Sequence, residues 1–170
     1  MPPIKSKELT PQQAQMRCEV LCARSEQSSG DIMSKLMKWG IPSDTARTIL
    51  QHLVKEKYVD DERYARAYVR DKFRYAGWGR LKIAYNLRQK GVDRIIINEA
   101  MEAEIEVDEY ADLAERVLRA KWRDVKSRPS WQARAALLRY AAQRGFESDV
   151  SVTAVEKILG NGADSDCYDE

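Results

Sequence analysis

The stretch YVDDERYARAYVRDKFRYAGWGR, residues 58–80, places two aspartates before a run in which arginine recurs on nearly every helical turn. At about 100° per residue, the four arginines that follow the aspartates fall on one narrow stripe, and the apolar and aromatic side chains spread over the opposite side. This pattern is typical of an amphipathic helix that buries its aromatic face. Asp60 or Asp61 is suited to cap this helix, since a carboxylate there accepts free backbone N–H groups and faces the positive end of the helix dipole.

A glycine followed by an apolar residue recurs along the chain at a spacing of roughly 50 residues. Such a glycine supplies the left-handed conformation at a helix C-terminus, and the apolar residue after it folds back onto the last turn. Apolar residues also recur eight positions before each glycine, so the repeat predicts an all-α protein of three tandem three-helix units. The aligned residues are Gly40, Gly91 and Gly145, with Ile41, Val92 and Phe146 after them and Ile32, Ile83 and Leu137 before them.

The two ends of the chain lack the apolar periodicity of the repeats, so we expect them to be disordered. Between the two ends, helix start signals support the assignment of helices. Pro11 and Pro42 suit the first turn of a helix, and the sequence from Ser28 to Asp31 fits a capping box. The predicted organisation is a disordered N-terminal end (1–9), a first repeat (10–58), a second repeat (59–106), a third repeat (107–159) and an acidic disordered tail (160–170).

Charge is arranged in blocks, although the net charge of the whole chain is only +2. Nine cations and two carboxylates lie between Glu62 and Lys90, whereas eight carboxylates and no cation lie between Glu99 and Glu115. Arginine is suited to bidentate contacts with carboxylate or phosphate groups, so the arginine stripe indicates a binding surface. The alternatives are a solvated face, or a stripe that the acidic block neutralises. A second basic segment, RVLRAKWRDVKSR, occupies residues 116–128.

The sequence carries none of the common catalytic or nucleotide-binding motifs. With a single histidine, His52, most acid–base and nucleophile triads cannot be assembled. Cys18 and Cys22 share one helical face and could chelate a metal, but small apolar residues on a buried stripe explain them more simply. We therefore expect a binding protein with no catalytic residue, metal site or cofactor. A metal protein or enzyme that uses Cys18, Cys22 and His52 is the alternative.

The chain also lacks the signals that direct a protein into or across a membrane. No apolar run approaches the roughly 20 residues that a membrane span needs, and the N-terminal sequence lacks the apolar core of a secretory signal. We expect a cytoplasmic protein without membrane contact.

The middle of the chain resembles the central motif block of the RecX regulators of the RecA recombinase. YVDDERYARAYVRDKF and GWGRLKIAYNLRQKGVDRIIINEAM carry their Tyr-hydrophobic-Asp-Asp turn, their aromatic-Ala helix with arginine, and their Leu-x-x-Lys-Gly-hydrophobic hinge. The resemblance covers roughly residues 17–159. It implies an elongated, curved array of three-helix units that lodges in the groove of a RecA filament on single-stranded DNA. It also implies a regulator that inhibits the ATPase, strand-exchange and co-protease activities of RecA and thereby modulates recombination and the SOS response. We expect this protein to be a monomer.

The resemblance implies a structural role for most of its motif positions, which are Tyr58, Asp60, Asp61, Tyr64, Ala65, Gly77, Ile83, Leu87 and Gly91. One departure from the family is Gly30, at a helix start where a polar helix former is usual. The residues predicted to contact the partner or DNA are Arg63, Arg66, Arg70, Arg74, Arg80, Lys82, Arg88 and Lys90. A helical-repeat protein that acts through nucleic acid alone is the main alternative.

Overall fold

The computed structural model describes residues 9–163, with side chains to residue 160. Over this range the chain forms nine α-helices and no strand, which confirms the all-α prediction. None of these helices combines the length and the apolar character that crossing a membrane would require. The helices are α1 (Pro11–Arg24), α2 (Ser29–Lys38), α3 (Ser43–Lys55), α4 (Asp61–Arg74), α5 (Arg80–Gln89), α6 (Arg94–Glu104), α7 (Val107–Val125), α8 (Ser130–Arg144) and α9 (Ser148–Ala163).

The three repeat glycines follow helices α2, α5 and α8 in the left-handed conformation that the sequence predicts. Their φ angles are +79° at Gly40, +75° at Gly91 and +87° at Gly145. In each case the next residue is buried, and its N–H donates to a carbonyl in the last turn of the helix. The predicted glycine-terminated helices are therefore confirmed. The bonds run from Ile41 to Leu36, from Val92 to Leu87 and from Phe146 to Ala141, each at 3.1 Å.

One compact unit comprises the chain up to Ala67 together with Leu87–Asn98. Both α1 and α2 pack against α3 in this unit. The small and aliphatic side chains that meet there are almost completely buried, and each large one contributes about 1.5–3 kcal/mol through removal from water. The core residues are Ala14, Cys18, Ile32, Leu36, Ile41, Ala46, Ile49, Leu53 and Val59.

In this unit the residues that end α5 lie directly against the N-terminal end of α2. The approach is so close that a Cβ atom on Gly30 would lie 2.2 Å from the carbonyl oxygen of Lys90. The Ser28 hydroxyl donates to that oxygen at 2.8 Å and accepts the N–H of Asp31 at 3.1 Å. The predicted capping box at Ser28 is only half present, because the Asp31 carboxylate binds the Lys90 ammonium instead, at 3.1 Å. This contact explains the glycine at position 30.

The other compact unit comprises Tyr68–Asn86 and the chain from Glu99 onward. Helices α7, α8 and α9 pack on one another there, and the N-terminal end of α5 meets the C-terminal end of α8. The N–H of Gly79 donates to the Arg144 carbonyl at 2.8 Å, and the N–H of Leu81 donates to the Gly145 carbonyl at 3.0 Å. A Cβ atom on Gly79 would lie 2.2 Å from the Gly145 oxygen. The same kind of helix-end contact therefore occurs in both units.

A small part of each predicted disordered end lies within the described residues. Leu9 is partly buried against the core of the first unit. Helix α9 continues to Ala163, because a glycine such as Gly160 costs a helix only about 1 kcal/mol and does not end it by itself. The rest of the predicted ends, residues 1–8 and 164–170, lies outside the described residues. The boundaries between the three repeats stay a prediction.

We expect Gly30→Ala to lower the free energy of unfolding by about 1–3 kcal/mol, because the added methyl group overlaps the Lys90 carbonyl and forces two helix ends apart. Gly160→Ala is the matched control, since its Cβ would meet nothing within 4 Å. It should be neutral or slightly stabilising, by up to about 1 kcal/mol. Urea unfolding followed by circular dichroism measures both variants. Equal stability of the two would contradict the close contact.

Candidate partner-binding surface

The two aspartates at the start of α4 cap two different helices. Asp60 accepts the N–H of Arg63 at 3.0 Å, at the start of α4 itself. Asp61 accepts the N–H of Ser29 at 2.8 Å, at the start of α2. Each carboxylate thus satisfies a backbone N–H that a helix end leaves without an intrahelical partner, which supports a structural role for this motif.

The face of α4 opposite the arginines is buried, as the helical wheel predicts. Ala65 and Val69 are fully buried, Tyr64 and Phe73 are nearly so, and Tyr68 is half-buried. The aromatic side chains of this helix therefore belong mainly to the core. Among the other motif positions, Ile83 and Leu87 are fully buried, Gly77 and Gly91 have positive φ angles, and Tyr58 is partly exposed.

Arg63 forms an ion pair with Glu26. Its Nε atom lies 2.6 Å from a Glu26 carboxylate oxygen, and its guanidinium also donates to the Lys57 carbonyl at 3.3 Å. The hydrogen bond to Glu26 raises the pKa of Arg63 above its usual value. The Arg63 side chain is still 45% exposed, so the pair adds little to stability and Arg63 stays accessible to a partner.

Arg70 forms a bidentate pair with Glu104, a member of the acidic block. The Nε and Nη2 atoms of Arg70 donate to the two carboxylate oxygens at 2.9 and 3.0 Å, and this bonding raises the pKa of Arg70. The Glu104 side chain is only 7% exposed. Loss of a charged partner from a buried carboxylate is costly. At this position the structure shows the alternative that the sequence left open, an arginine neutralised by the acidic block.

Arg80 and Lys82 lie against aromatic rings. The Arg80 guanidinium is 4.0 Å from the centroid of the Tyr110 ring and 4.0 Å from a Glu147 oxygen. The Lys82 ammonium is 4.3 Å from the centroid of the Trp78 ring. Contacts of this kind stabilise by about 0.5–2 kcal/mol, so both cations also serve the fold.

Lys90 holds the end of α5 against the start of α2 through Asp31. Burial lowers the pKa of Lys90, but the hydrogen bond to Asp31 and the nearby Tyr64 outweigh burial, so the pKa lies above its usual value. Lys90 therefore keeps its charge at neutral pH. The positive charge lies at a helix C-terminus and the negative charge at a helix N-terminus, where each is favoured by the helix dipole.

The other three predicted binding residues, Arg66, Arg74 and Arg88, are exposed. Within residues 9–163, neither Arg74 nor Arg88 has an ion pair, whereas Arg66 does interact with other groups of the chain. Arg74 lines a groove of about 330 Å³ together with Glu109 and Asp112. These exposed guanidinium groups have the chemistry to bind carboxylates or phosphates from outside the chain.

The geometry of Cys18 and Cys22 fits a buried apolar stripe. Both pack in the core of the first unit. Burial raises the pKa of Cys18 to about 11 and also raises the pKa of Cys22. His52 lies in α3, whereas both cysteines lie in α1. Its Nε2 atom is 3.7 Å from a carboxylate oxygen of Glu19. Across the described ranges, no three His, Cys, Asp or Glu side chains converge in a way that could hold a metal ion.

The side chains that contact Arg70 and Arg80 could not be identified as their partners from the sequence. The buried Tyr110 hydroxyl donates to Glu147 and accepts the N–H of Arg80 at 2.9 Å, and burial raises the pKa of Tyr110. One signal was present for Glu104. In the repeat alignment it occupies the position that Leu53 holds in the first repeat, and a carboxylate at a buried repeat position requires a charged partner.

Comparison with known proteins places these three-helix domains in one family. The model for "RecX, second three-helix domain" matches residues 60–101, and the model for "RecX, third three-helix domain" matches residues 108–155. Proteins named "Regulatory protein RecX" from Chromobacterium violaceum and Mycolicibacterium vanbaalenii are 30% and 31% identical, over 91% and 88% of this chain and 93% and 84% of their own lengths. The crystal structure of RecX from Lactobacillus salivarius has the same fold, with a TM-score of 0.77 at 17% identity over 86% of this chain and 95% of that one. The chain belongs to the RecX family of regulatory proteins.

We expect Arg70→Glu to lower the melting temperature, because it places a second carboxylate beside the buried Glu104. Arg88→Glu is the matched control, since it reverses an exposed arginine that has no ion pair within residues 9–163. It should leave the melting temperature nearly unchanged. Thermal unfolding followed by circular dichroism compares the two, and equal melting temperatures would show that the Arg70–Glu104 pair is unimportant for the fold.

At mildly alkaline pH, iodoacetamide should modify Cys22 of the folded protein before Cys18, and both more slowly than in the urea-unfolded protein. The reason is that the thiolate is the reactive form, and burial raises both pKa values. Peptide mass spectrometry gives the rate at each cysteine. A Cys18 that reacts equally fast in the folded and unfolded protein would contradict its place in the core.

Proposed function

We propose that this protein binds the RecA recombinase filament on single-stranded DNA and inhibits its ATPase, strand-exchange and co-protease activities. Membership of a family of regulatory proteins is the observation that carries the proposal. An inhibitor that works by occupying a filament needs no catalytic group of its own. The protein would act as a cytoplasmic monomer and would modulate recombination and the SOS response.

The intramolecular contacts suggest which cations are available to the filament. Arg63, Arg70 and Lys90 are in ion pairs, so part of their binding capacity is already used. We propose that the exposed Arg74 and Arg88 make the main contacts, with carboxylates of RecA or with DNA phosphates, and that Arg66, which also interacts within the chain, contributes beside them. Arg80 and Lys82, which lie against aromatic rings, would have a secondary role.

Single-strand-dependent ATP hydrolysis by the cognate RecA, measured with and without this protein, tests the proposal. We expect turnover to fall when the protein is present at equimolar or lower ratio to RecA. Sedimentation should show much tighter binding to RecA-coated single-stranded DNA than to the uncoated strand. Unchanged turnover, together with failure to sediment with the coated strand, would rule the proposal out.

The double variant Arg74→Glu/Arg88→Glu locates the contact. Reversed charges replace attraction with repulsion, so we expect at least about tenfold weaker filament binding, or roughly 1.4 kcal/mol, with helicity retained. Arg47→Glu/Arg94→Glu is the control, because it makes the same charge change at two exposed arginines outside the predicted surface. Equal inhibition by both variants would mean that the contact lies elsewhere on the protein.

A further inference from the structure

A group of exposed cations and an exposed tryptophan lie where α7 ends and α8 begins. We call this group the basic end; it comprises Arg123, Lys126, Arg128 and Trp131. Trp131 is 70% exposed. The one carboxylate in this stretch, Asp124, lies 3.5 Å from the Lys121 ammonium group. The basic end therefore carries three positive charges that no ion pair within residues 9–163 neutralises.

The C-terminus of α9 lies at this same end of the packed helices. Helix α9 follows α8 after a short turn, and the Glu156 carboxylate lies 4.0 Å from the guanidinium of Arg134, near the start of α8. The two helices are therefore antiparallel. At 1.5 Å per residue, α9 extends about 10 Å beyond Glu156 to Ala163, and α8 begins about 6 Å before Arg134. The chain thus leaves α9 close to the residues that join α7 to α8.

The sequence that follows α9 carries the opposite charge. Residues 164–170, DSDCYDE, lie outside the described residues, and we call them the acidic segment. They contain four carboxylates and no Lys or Arg. The last turn of α9 has no basic residue, so these carboxylates follow the negative end of a helix dipole without a local counter-charge. Cations from another part of the chain would stabilise them.

Length and charge favour the acidic segment over a separate molecule as the partner of the basic end. An extended chain spans about 3.3 Å per residue, so the seven residues of the segment can reach about 23 Å, whereas the axes of packed helices lie about 8–10 Å apart. A short tether also gives an effective concentration of roughly millimolar, with which a separate anion would have to compete. Tyr168 adds an aromatic ring that can pack on the indole of Trp131.

We infer that the acidic segment binds the basic end of its own chain, with carboxylates paired to Arg123, Lys126 and Arg128 and with Tyr168 against Trp131. The contact covers the basic end, so an anionic group from outside the chain has to displace the segment before it can bind there. The inference goes beyond the proposed function, because this contact lies within the chain and includes none of the predicted filament-binding residues.

Disulfide formation between Cys167 of the acidic segment and a cysteine placed beside the basic end tests the contact. The exposed position of Ser127→Cys provides that cysteine, and oxidised glutathione is the oxidant. Ser148→Cys is the matched control, because Ser148 starts α9 and lies about 22 Å from Ala163 along the helix. That distance exceeds the roughly 19 Å that the four residues to Cys167 and a disulfide can span. Peptide mass spectrometry gives both rates, and we expect position 127 to react at least about tenfold faster.

Tethering alone can also bring Cys167 to position 127, and a charge-neutral segment separates tethering from binding. This variant is Asp164→Asn/Asp166→Asn/Asp169→Asn/Glu170→Gln. We expect the disulfide at position 127 to form about fivefold more slowly in it, because the effective concentration of Cys167 at the basic end falls. The rate of modification by iodoacetamide at the introduced cysteine corrects for changes in thiol reactivity.

The same measurement tests the cations. Lys126→Gln/Arg128→Gln should slow the disulfide as the charge-neutral segment does, whereas Arg47→Gln/Arg94→Gln, which removes the same charge from exposed positions elsewhere, should not. Circular dichroism checks that each variant keeps its helicity.

Equal rates with the acidic and the charge-neutral segment would overturn the inference, since the segment would then be tethered but not bound. Equal rates at positions 127 and 148, or no effect of Lys126→Gln/Arg128→Gln, would also overturn it, because the segment would lie elsewhere. RecA takes no part in this measurement, so failure of the inference is distinguishable from failure of the proposed function.

Discussion

An α-helix leaves its first N–H groups and its last carbonyls without intrahelical partners, and in this protein the end of one helix supplies partners for the start of another. The carbonyls of Arg144 and Gly145 accept the first amides of α5, and the Lys90 carbonyl accepts the Ser28 hydroxyl at the start of α2. These contacts bring opposite ends of helix dipoles together. They require glycine, because any Cβ on Gly30 or Gly79 would overlap a carbonyl oxygen at 2.2 Å. The packing within each unit depends on this approach.

The same contacts explain why cations in the basic block have unequal roles. Lys90 and Arg80 lie beside the helix-end contacts, and Arg70 neutralises a buried carboxylate. A stripe that looks uniform on a helical wheel therefore contains residues that stabilise the fold and residues whose charge faces solvent. An exposed arginine without an ion pair within residues 9–163, such as Arg74, adds little to stability, so we propose that it serves recognition. We propose that this division lets α4 serve both the core and a binding surface.

The helices and their ends could be predicted from the sequence because both depend on residues that are close together in the chain. The amphipathic pattern of α4 and the repeated Gly-apolar pair can both be recognised without information on contacts between residues that are far apart in the chain. The partners of Arg63 and Arg70 could not be predicted, since they lie 37 and 34 residues away and a wheel does not show what packs against each face. Gly30 looked like a departure from the family for the same reason. Its role is visible only when the end of α5 lies beside it.

Amide hydrogen exchange at Gly79 and Leu81 tests this account most directly. First-turn amides of a helix normally exchange quickly, as the amide of Asp44 should in α3, whose start has no side-chain cap. If the carbonyls at the end of α8 accept the amides at the start of α5, the amides of Gly79 and Leu81 should instead be as protected as that of the fully buried Leu137, in the middle of α8. Exchange of Gly79 and Leu81 at the rate of Asp44 would contradict the account, because the two helix ends would then not be held together in solution.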